Sequence, residues 1–260
     1  MVRRCAIVSC VSMRVVRMPG IHHDSNSVLL EGNISAMLVD TGTSWYQLLQ
    51  LERIKTQLKS RKEIKGILLT SRRYSNSGAA SFLSNEFSEA PVYIHSKGVG
   101  PLGAGDFFTT WASRFDSDMP PTKTAPIVEG DEWQLGDLTV QAIELPGYCI
   151  DSVGYYIAEK KTLVTGWTLP DANFPARWDL PTGNLIDLVS SFEKIINLKL
   201  ESLIPGFGTT ISGLDNVANV LDKHLKFFAE CVERGGFPPI EWDKPAVTCS
   251  YLTPKIPWDQ

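Results

Sequence analysis

Residues 36–42 read Ala-Met-Leu-Val-Asp-Thr-Gly, and this stretch decides how the chain is organised. Four consecutive apolar residues without polar alternation describe a strand buried on both faces, the kind found in sheets covered by helices. The run ends on Asp40-Thr41-Gly42, a turn signal. Beyond it, Thr43 or Ser44 is placed to cap a helix with apolar positions Leu48, Leu51, Ile54 and Leu58. Residues 66–70 repeat the pattern, with Ile67-Leu68-Leu69 as a second buried strand running into a polar loop over 71–77. Strand, turn, helix and strand in this order predict a mixed α/β fold.

Outward from this centre, residues 14–18 and 27–31 read as strands, 78–87 as a helix and 92–94 as a short strand. Residues 97–126 change character: Gly98, Gly100, Gly103 and Gly105 are followed by Pro120, Pro121 and Pro126, with Phe107, Phe108, Trp111 and Phe115 between. This composition predicts a long loop hiding a short helix near 107–115. Four hairpin-like strands follow at 127–129, 133–135, 138–144 and 152–158, then a strand at 162–165. A helix over 185–196, a strand at 202–204 and a helix over 214–231, stopped by Gly235-Gly236, complete the pattern. The expected organisation is an N-terminal extension at 1–12 that forms an extra strand, one domain at 13–236, and a Pro- and Trp-rich tail at 237–260 packed on it.

The 260 residues are 43% hydrophobic and 21% charged, which excludes disorder, collagen and disulfide miniproteins as whole-chain readings. A net charge of −4 gives no global basic field for nucleic acid or anionic membrane. Cys5, Cys10, Cys149, Cys231 and Cys249 form no CxxC pair and read as reduced thiols of a cytoplasmic protein. No uncharged apolar run approaches the roughly 20 residues of a membrane span.

Six short motifs then carry a resemblance. They are Leu38–Gly42, Ile67–Thr70, Glu144-Leu145-Pro146-Gly147, Ser152-Val153-Gly154-Tyr155-Tyr156, Leu163-Val164-Thr165-Gly166 and Leu203-Ile204-Pro205-Gly206-Phe207-Gly208. In this order they resemble the metallo-β-lactamase superfamily, in particular its glyoxalase-II-like and lactonase-like branches. The resemblance implies a single-domain, four-layer αββα sandwich with a site at one edge. Hydrolytic members hold metal ions there with a T-H-x-H-x-D-H loop, a His after a Pro-Gly turn, an Asp after a Thr-Gly turn and a His in P-G-H-G. In this chain the loop reads Thr70-Ser71-Arg72-Arg73-Tyr74-Ser75-Asn76, so its ligand positions hold Ser71, Arg73, Ser75 and Asn76. The remaining positions hold Tyr148, Trp167 and Phe207. All the ligand positions that the resemblance implies are changed.

A guanidinium has no lone pair for a metal, and Trp and Phe offer no ligand atoms. Without a metal, no bound water has its pKa lowered towards neutrality, so metal-dependent hydrolysis is not expected and no cofactor is implied. Asp40 matches a residue beside the family's metal cluster. Here it reads as a structural carboxylate capping the turn, with Arg73 placed to form a buried ion pair with it. Two rebuilt sites are conceivable: a relocated metal site from His22, His23, Asp24, Asp40 and Cys149, and an anion pocket from Arg72, Arg73, Asp40, Tyr148 and Arg177. Trp167, Phe174, Trp178 and Phe207 would line that pocket or fill the space left by the metals.

The leading expectation is a non-catalytic scaffold retained for binding or assembly, with a protein partner or a second copy meeting the aromatics at 107–115 and the Trp242–Trp258 tail. The alternatives are a hydrolase working without metal or with relocated ligands, and a small-anion or RNA-binding module. Lys55, Lys59, Arg61, Lys62 and Lys65 form a second basic run that reads as a solvated helix end.

Overall fold

A computed structural model describes residues 13–58 and 63–239. The expected extension at 1–12 and most of the tail lie outside the described residues. Within them, the buried runs fall into two six-stranded sheets stacked between helical layers. The first sheet runs in order β1 (Arg14–Met18), β2 (Ser27–Glu31), β3 (Ala36–Val39), β4 (Ile64–Leu68), β5 (Val92–His95) and β6 (Thr124–Ile127). β1 to β3 are antiparallel, and β3 to β6 are parallel. Their crossovers carry α1 (Gln47–Gln57), α2 (Tyr74–Ser77), α3 (Ala80–Glu86) and α4 (Ser96–Ala104). The second sheet holds β7 (Glu132–Gln134), β8 (Thr139–Glu144), β9 (Val153–Ile157), β10 (Thr162–Gly166), β11 (Ser202–Pro205) and β12 (Ile211–Ser212). α5 (Leu185–Asn197) joins the parallel pair β10 and β11, and α6 (Leu214–Glu233) follows β12.

The period-2 geometry of strands explains the unbroken apolar runs. In β3, Met37 and Val39 enter the core between the sheets, while Ala36 and Leu38 enter the core under the first helical layer. β10 and β11 divide likewise: Val164 and Ile204 face the other sheet, and Leu163 and Leu203 face α5 and α6. Each central strand feeds two cores, so its run is mostly apolar on both faces. This is the αββα sandwich.

Several boundaries differ from the sequence reading, each for a physical reason. Thr43 gives no side-chain cap; a single 3-10 turn at Ser44–Tyr46 precedes α1, and Leu48 is 67% exposed while Leu51 and Ile54 are buried. Residues 71–77 are not all loop, since Tyr74–Ser77 makes one helical turn. The segment at 97–126 contains α4, which its glycines and Pro101 disguise. Gly98 is required there, because a Cβ would stand 2.5 Å from both Asp151 Oδ2 and Ile94 Cδ1. At 107–115 only Ala112–Phe115 is helical, as a 3-10 segment that follows a turn at 107–110. The strand expected at 127–129 is β6, which starts at Thr124 and pairs in parallel with β5. Pro126 hides it in the sequence, yet a proline without an N–H is tolerated on an edge strand.

Leu38→Ala, in a fully buried site, is expected to cost about 2–5 kcal/mol, whereas Leu48→Ala stays within about 0.5 kcal/mol. Equilibrium urea unfolding checks both. Equal losses would contradict the assignment of faces.

Candidate functional site

The ends of β3, β4, β10 and β11 and the turn between β8 and β9 meet at one edge of the sandwich. Asp40 is the hub. It closes β3 with a positive φ of 56°, a conformation that Asp adopts more readily than most residues. Its Oδ1 accepts the Thr70 N–H at 2.8 Å. Its Oδ2 accepts Thr70 Oγ1 at 2.6 Å, Asn76 Nδ2 at 2.8 Å and Ser25 Oγ at 3.3 Å. Gly166 lets β10 approach, since a Cβ there would lie 2.4 Å from Thr70 Oγ1. The second sheet is tied in by the Val153 N–H on the Thr70 carbonyl and the Asn26 N–H on Gly206 O.

Every donor to the Asp40 carboxylate is neutral, and the group is shut from water. Burial therefore raises its pKa from 3.8 to about 6, against the lowering by Thr70, Asn76 and Ser25. Asp24 is also raised to about 6, chiefly by burial, although it accepts the Thr43 N–H at 2.8 Å.

Arg73 turns away from Asp40, so the expected ion pair between them does not form. Arg73 as a whole is 1% exposed, and its guanidinium donates to Thr109 O at 2.8 Å, to Pro181 O and, at 3.4 Å, to Tyr148 O. It lies 5.4 Å from the centre of the Tyr148 ring. Three carbonyls and a ring face hold this charge, and Nε has no hydrogen-bond partner. Tyr148 stacks on Trp167 with centroids 5.8 Å apart, and burial raises its phenol pKa. Arg73, Ser75, Tyr148 and Trp167 line one shared space of about 10 Å³, barely enough for a single water.

The positions expected to replace a metal site do converge, with differences. Asn76 joins the Asp40 hub, and Ser75 Oγ donates to Asn76 Oδ1 at 3.1 Å. The Ser71 hydroxyl accepts the Arg73 N–H at 3.4 Å. Phe207 is only half-buried beside Pro170 and is not part of the Tyr148–Trp167 cluster. Trp178 faces away, packing on Phe227 and Phe228 under the second helical layer, while Phe174 does pack on the cluster.

The expected anion pocket is not assembled. Arg72 pairs with buried Asp151 at 3.1 Å and donates to Lys97 O, and Arg177 pairs with Asp179 and covers the Trp111 ring at 5.0 Å. The relocated metal set is dispersed as well. His22 stacks on Tyr46, His23 packs on Trp45 and Phe115, and Cys149 Sγ meets Thr182 Oγ1 at 3.1 Å. Among the described residues, no group of three or more His, Cys, Asp or Glu side chains is placed to hold a metal ion. Sequence reasoning missed Ser25, Asp151 and the carbonyls that hold Arg73. A polar Asp24-Ser25-Asn26 run just before β2 was the one signal available for Ser25.

The probable metallo-hydrolase MJ0888 of Methanocaldococcus jannaschii is 31% identical to this chain over 199 residues, covering 75% of the chain and 92% of that protein. The lactamase-like protein nscB of Arthroderma otae is 28% identical over 187 residues, covering 66% and 52%. Among solved structures, TTHA1623 in a di-iron-bound form superposes with a TM-score of 0.65 at 24% identity, covering 79% of this chain and 98% of that one. ETHE1 from Myxococcus xanthus gives 0.66 at 17% identity, covering 92% and 98%. No family model matches the chain. The chain belongs to the metallo-β-lactamase superfamily. Its site residues nevertheless do not fit the metal that the family implies: the one carboxylate, Asp40, is held by Thr70, Asn76 and Ser25, the other converging groups are a guanidinium, hydroxyls, an amide and two stacked rings, and the space between them is filled.

The Asp40 and Asp24 carboxyls are expected to titrate near pH 6 in carbonyl-detected NMR. In the window from about pH 4 to 6 the folded state keeps protons that the unfolded chain has released. Their contribution to stability therefore falls as pH rises through that window, by on the order of 3 kcal/mol each at full effect. Midpoints at or below the ordinary carboxylate range would contradict this environment.

Proposed function

We propose that this chain is a non-catalytic member of its superfamily, which keeps the αββα scaffold for binding or assembly. The observation that carries the reading is the buried Arg73 guanidinium, shut with Tyr148 and Trp167 around a space of about 10 Å³. A substrate carbonyl and an attacking water need room at the reacting edge, and a metal-bound hydroxide needs ligands with lone pairs. Neither is provided by these side chains. Asp40 is fully committed to Thr70, Asn76 and Ser25, so it is not free to act as a base toward a substrate.

The printed name of MJ0888, a probable metallo-hydrolase, favours the competing reading of a hydrolase. That reading would require Arg73 or the Tyr148–Trp167 stack to swing out and His22, His23 or Asp24 to move in. The expected partner is a protein or a second copy of the chain, and exposed Trp45, Phe107 and Phe108 support a contact surface outside the filled site. No helix among the described residues is long and apolar enough to cross a membrane.

Purified full-length chain supplied with zinc, manganese or ferrous iron is expected to hydrolyse ester, thioester, lactone and lactam probes no faster than buffer containing the same metal. A saturable, metal-stimulated rate that chelation removes and restored metal recovers would overturn the proposal.

A further inference from the structure

The described arginines differ in what they meet. Arg14, Arg72 and Arg177 each meet a carboxylate, on Glu31, Asp151 and Asp179. Arg17 and Arg53 form no direct ion pair among the described residues, although buried Asp24 acts on Arg53 from nearby. Arg17 uses Nη1 alone, toward Asn26 Oδ1 at 3.2 Å and Gly208 O at 2.9 Å. Arg53 gives Nη1 to Gln50 Oε1 at 3.3 Å and Nη2 to Pro19 O at 2.7 Å. Both line a cavity of about 340 Å³ between the end of β1 and the outer turns of α1, with Thr56 and Gln57 as neutral polar neighbours. Both guanidiniums are partly desolvated, and Arg53 feels the attraction of buried Asp24 as well as the repulsion of Arg17. The carboxylate in that lining, Glu52, is offset by Lys55 at 3.7 Å.

We propose that Arg17 and Arg53 form a subsite for a phosphate group, separate from the filled Asp40–Arg73 edge. The Nε and Nη2 edge of Arg17 carries no protein hydrogen bond, and this is the fork that grips a tetrahedral oxyanion through two parallel bonds. A tetrahedral phosphate has oxygens for both guanidiniums at once, whereas a planar carboxylate is used up by one fork. The cavity is large enough for a small phosphorylated molecule.

The test is titration of the full chain with inorganic phosphate at constant ionic strength, following the arginine Nε–Hε resonances by NMR. Arg17 and Arg53 are expected to shift saturably. Arg17→Gln and Arg53→Gln should each weaken binding at least about tenfold, Arg53→Lys should weaken it less, and Lys226→Gln on α6 should leave it unchanged. Glycerol phosphate binding more tightly than inorganic phosphate would assign the rest of the cavity to an organic group, and equal affinity would assign the site to free phosphate. Both results support the subsite. Shifts that never saturate, or affinity unchanged in both glutamine variants, would overturn it. So would a single-stranded oligonucleotide binding with a steep salt dependence while phosphate fails to saturate, since that would describe a polyanion track.

Discussion

A carboxylate shut from water and held only by neutral donors fixes this site. Asp40 ends β3, binds both the backbone and the hydroxyl of Thr70 at the end of β4, and reaches Asn76 on α2 and Ser25 in the loop before β2. The strands, the 71–77 segment and the loop before β2 therefore share one anchor. Desolvation weighs against the charged form there, and the four hydrogen bonds offset part of that cost. The arrangement stays closed because Gly166 lets β10 pass close to Thr70.

The cation of the site lies elsewhere, and it is organic. Removing a guanidinium from water costs on the order of several kcal/mol, which must be met by local contacts. Among the described residues, no carboxylate stands within ion-pair distance of Arg73; the carbonyls of Thr109, Tyr148 and Pro181 and the Tyr148 ring take that part. Trp167, stacked behind Tyr148, closes the remaining space. The edge has become a packed polar core: its ends are fixed by hydrogen bonds, and its centre is filled.

The sandwich was legible in the sequence because its strands are continuous apolar runs that serve two cores. β1, β2 and β3 were read with the bounds they have, as was most of β10. What was hidden shares a cause: residues usually read as breakers were placed where the fold tolerates them. Gly98 of α4 gives way to Asp151 and Ile94, and Pro126 sits on an edge strand. At the site, the substituted positions could be named from the motifs, and Arg73, Ser75, Tyr148 and Trp167 do share one space. Their partners could not be named. Backbone carbonyls leave no mark in a sequence, so Arg73 was paired with the nearest plausible carboxylate, Asp40, which neutral donors already hold. Asp151 was equally silent, because the pairing that gives it meaning joins residues 72 and 151 across two sheets.

The account rests on the claim that Arg73, Tyr148 and Trp167 have taken the place of a metal centre. Elemental mass spectrometry on chain purified without chelator or affinity metal tests this most directly. A content below about 0.1 ion of zinc, iron or manganese per chain is the expected result, because the converging groups offer no tetrahedral or octahedral donor set. A reproducible content near one or two ions per chain, lost together with His22, His23, Asp24 or Asp40 on substitution, would contradict it.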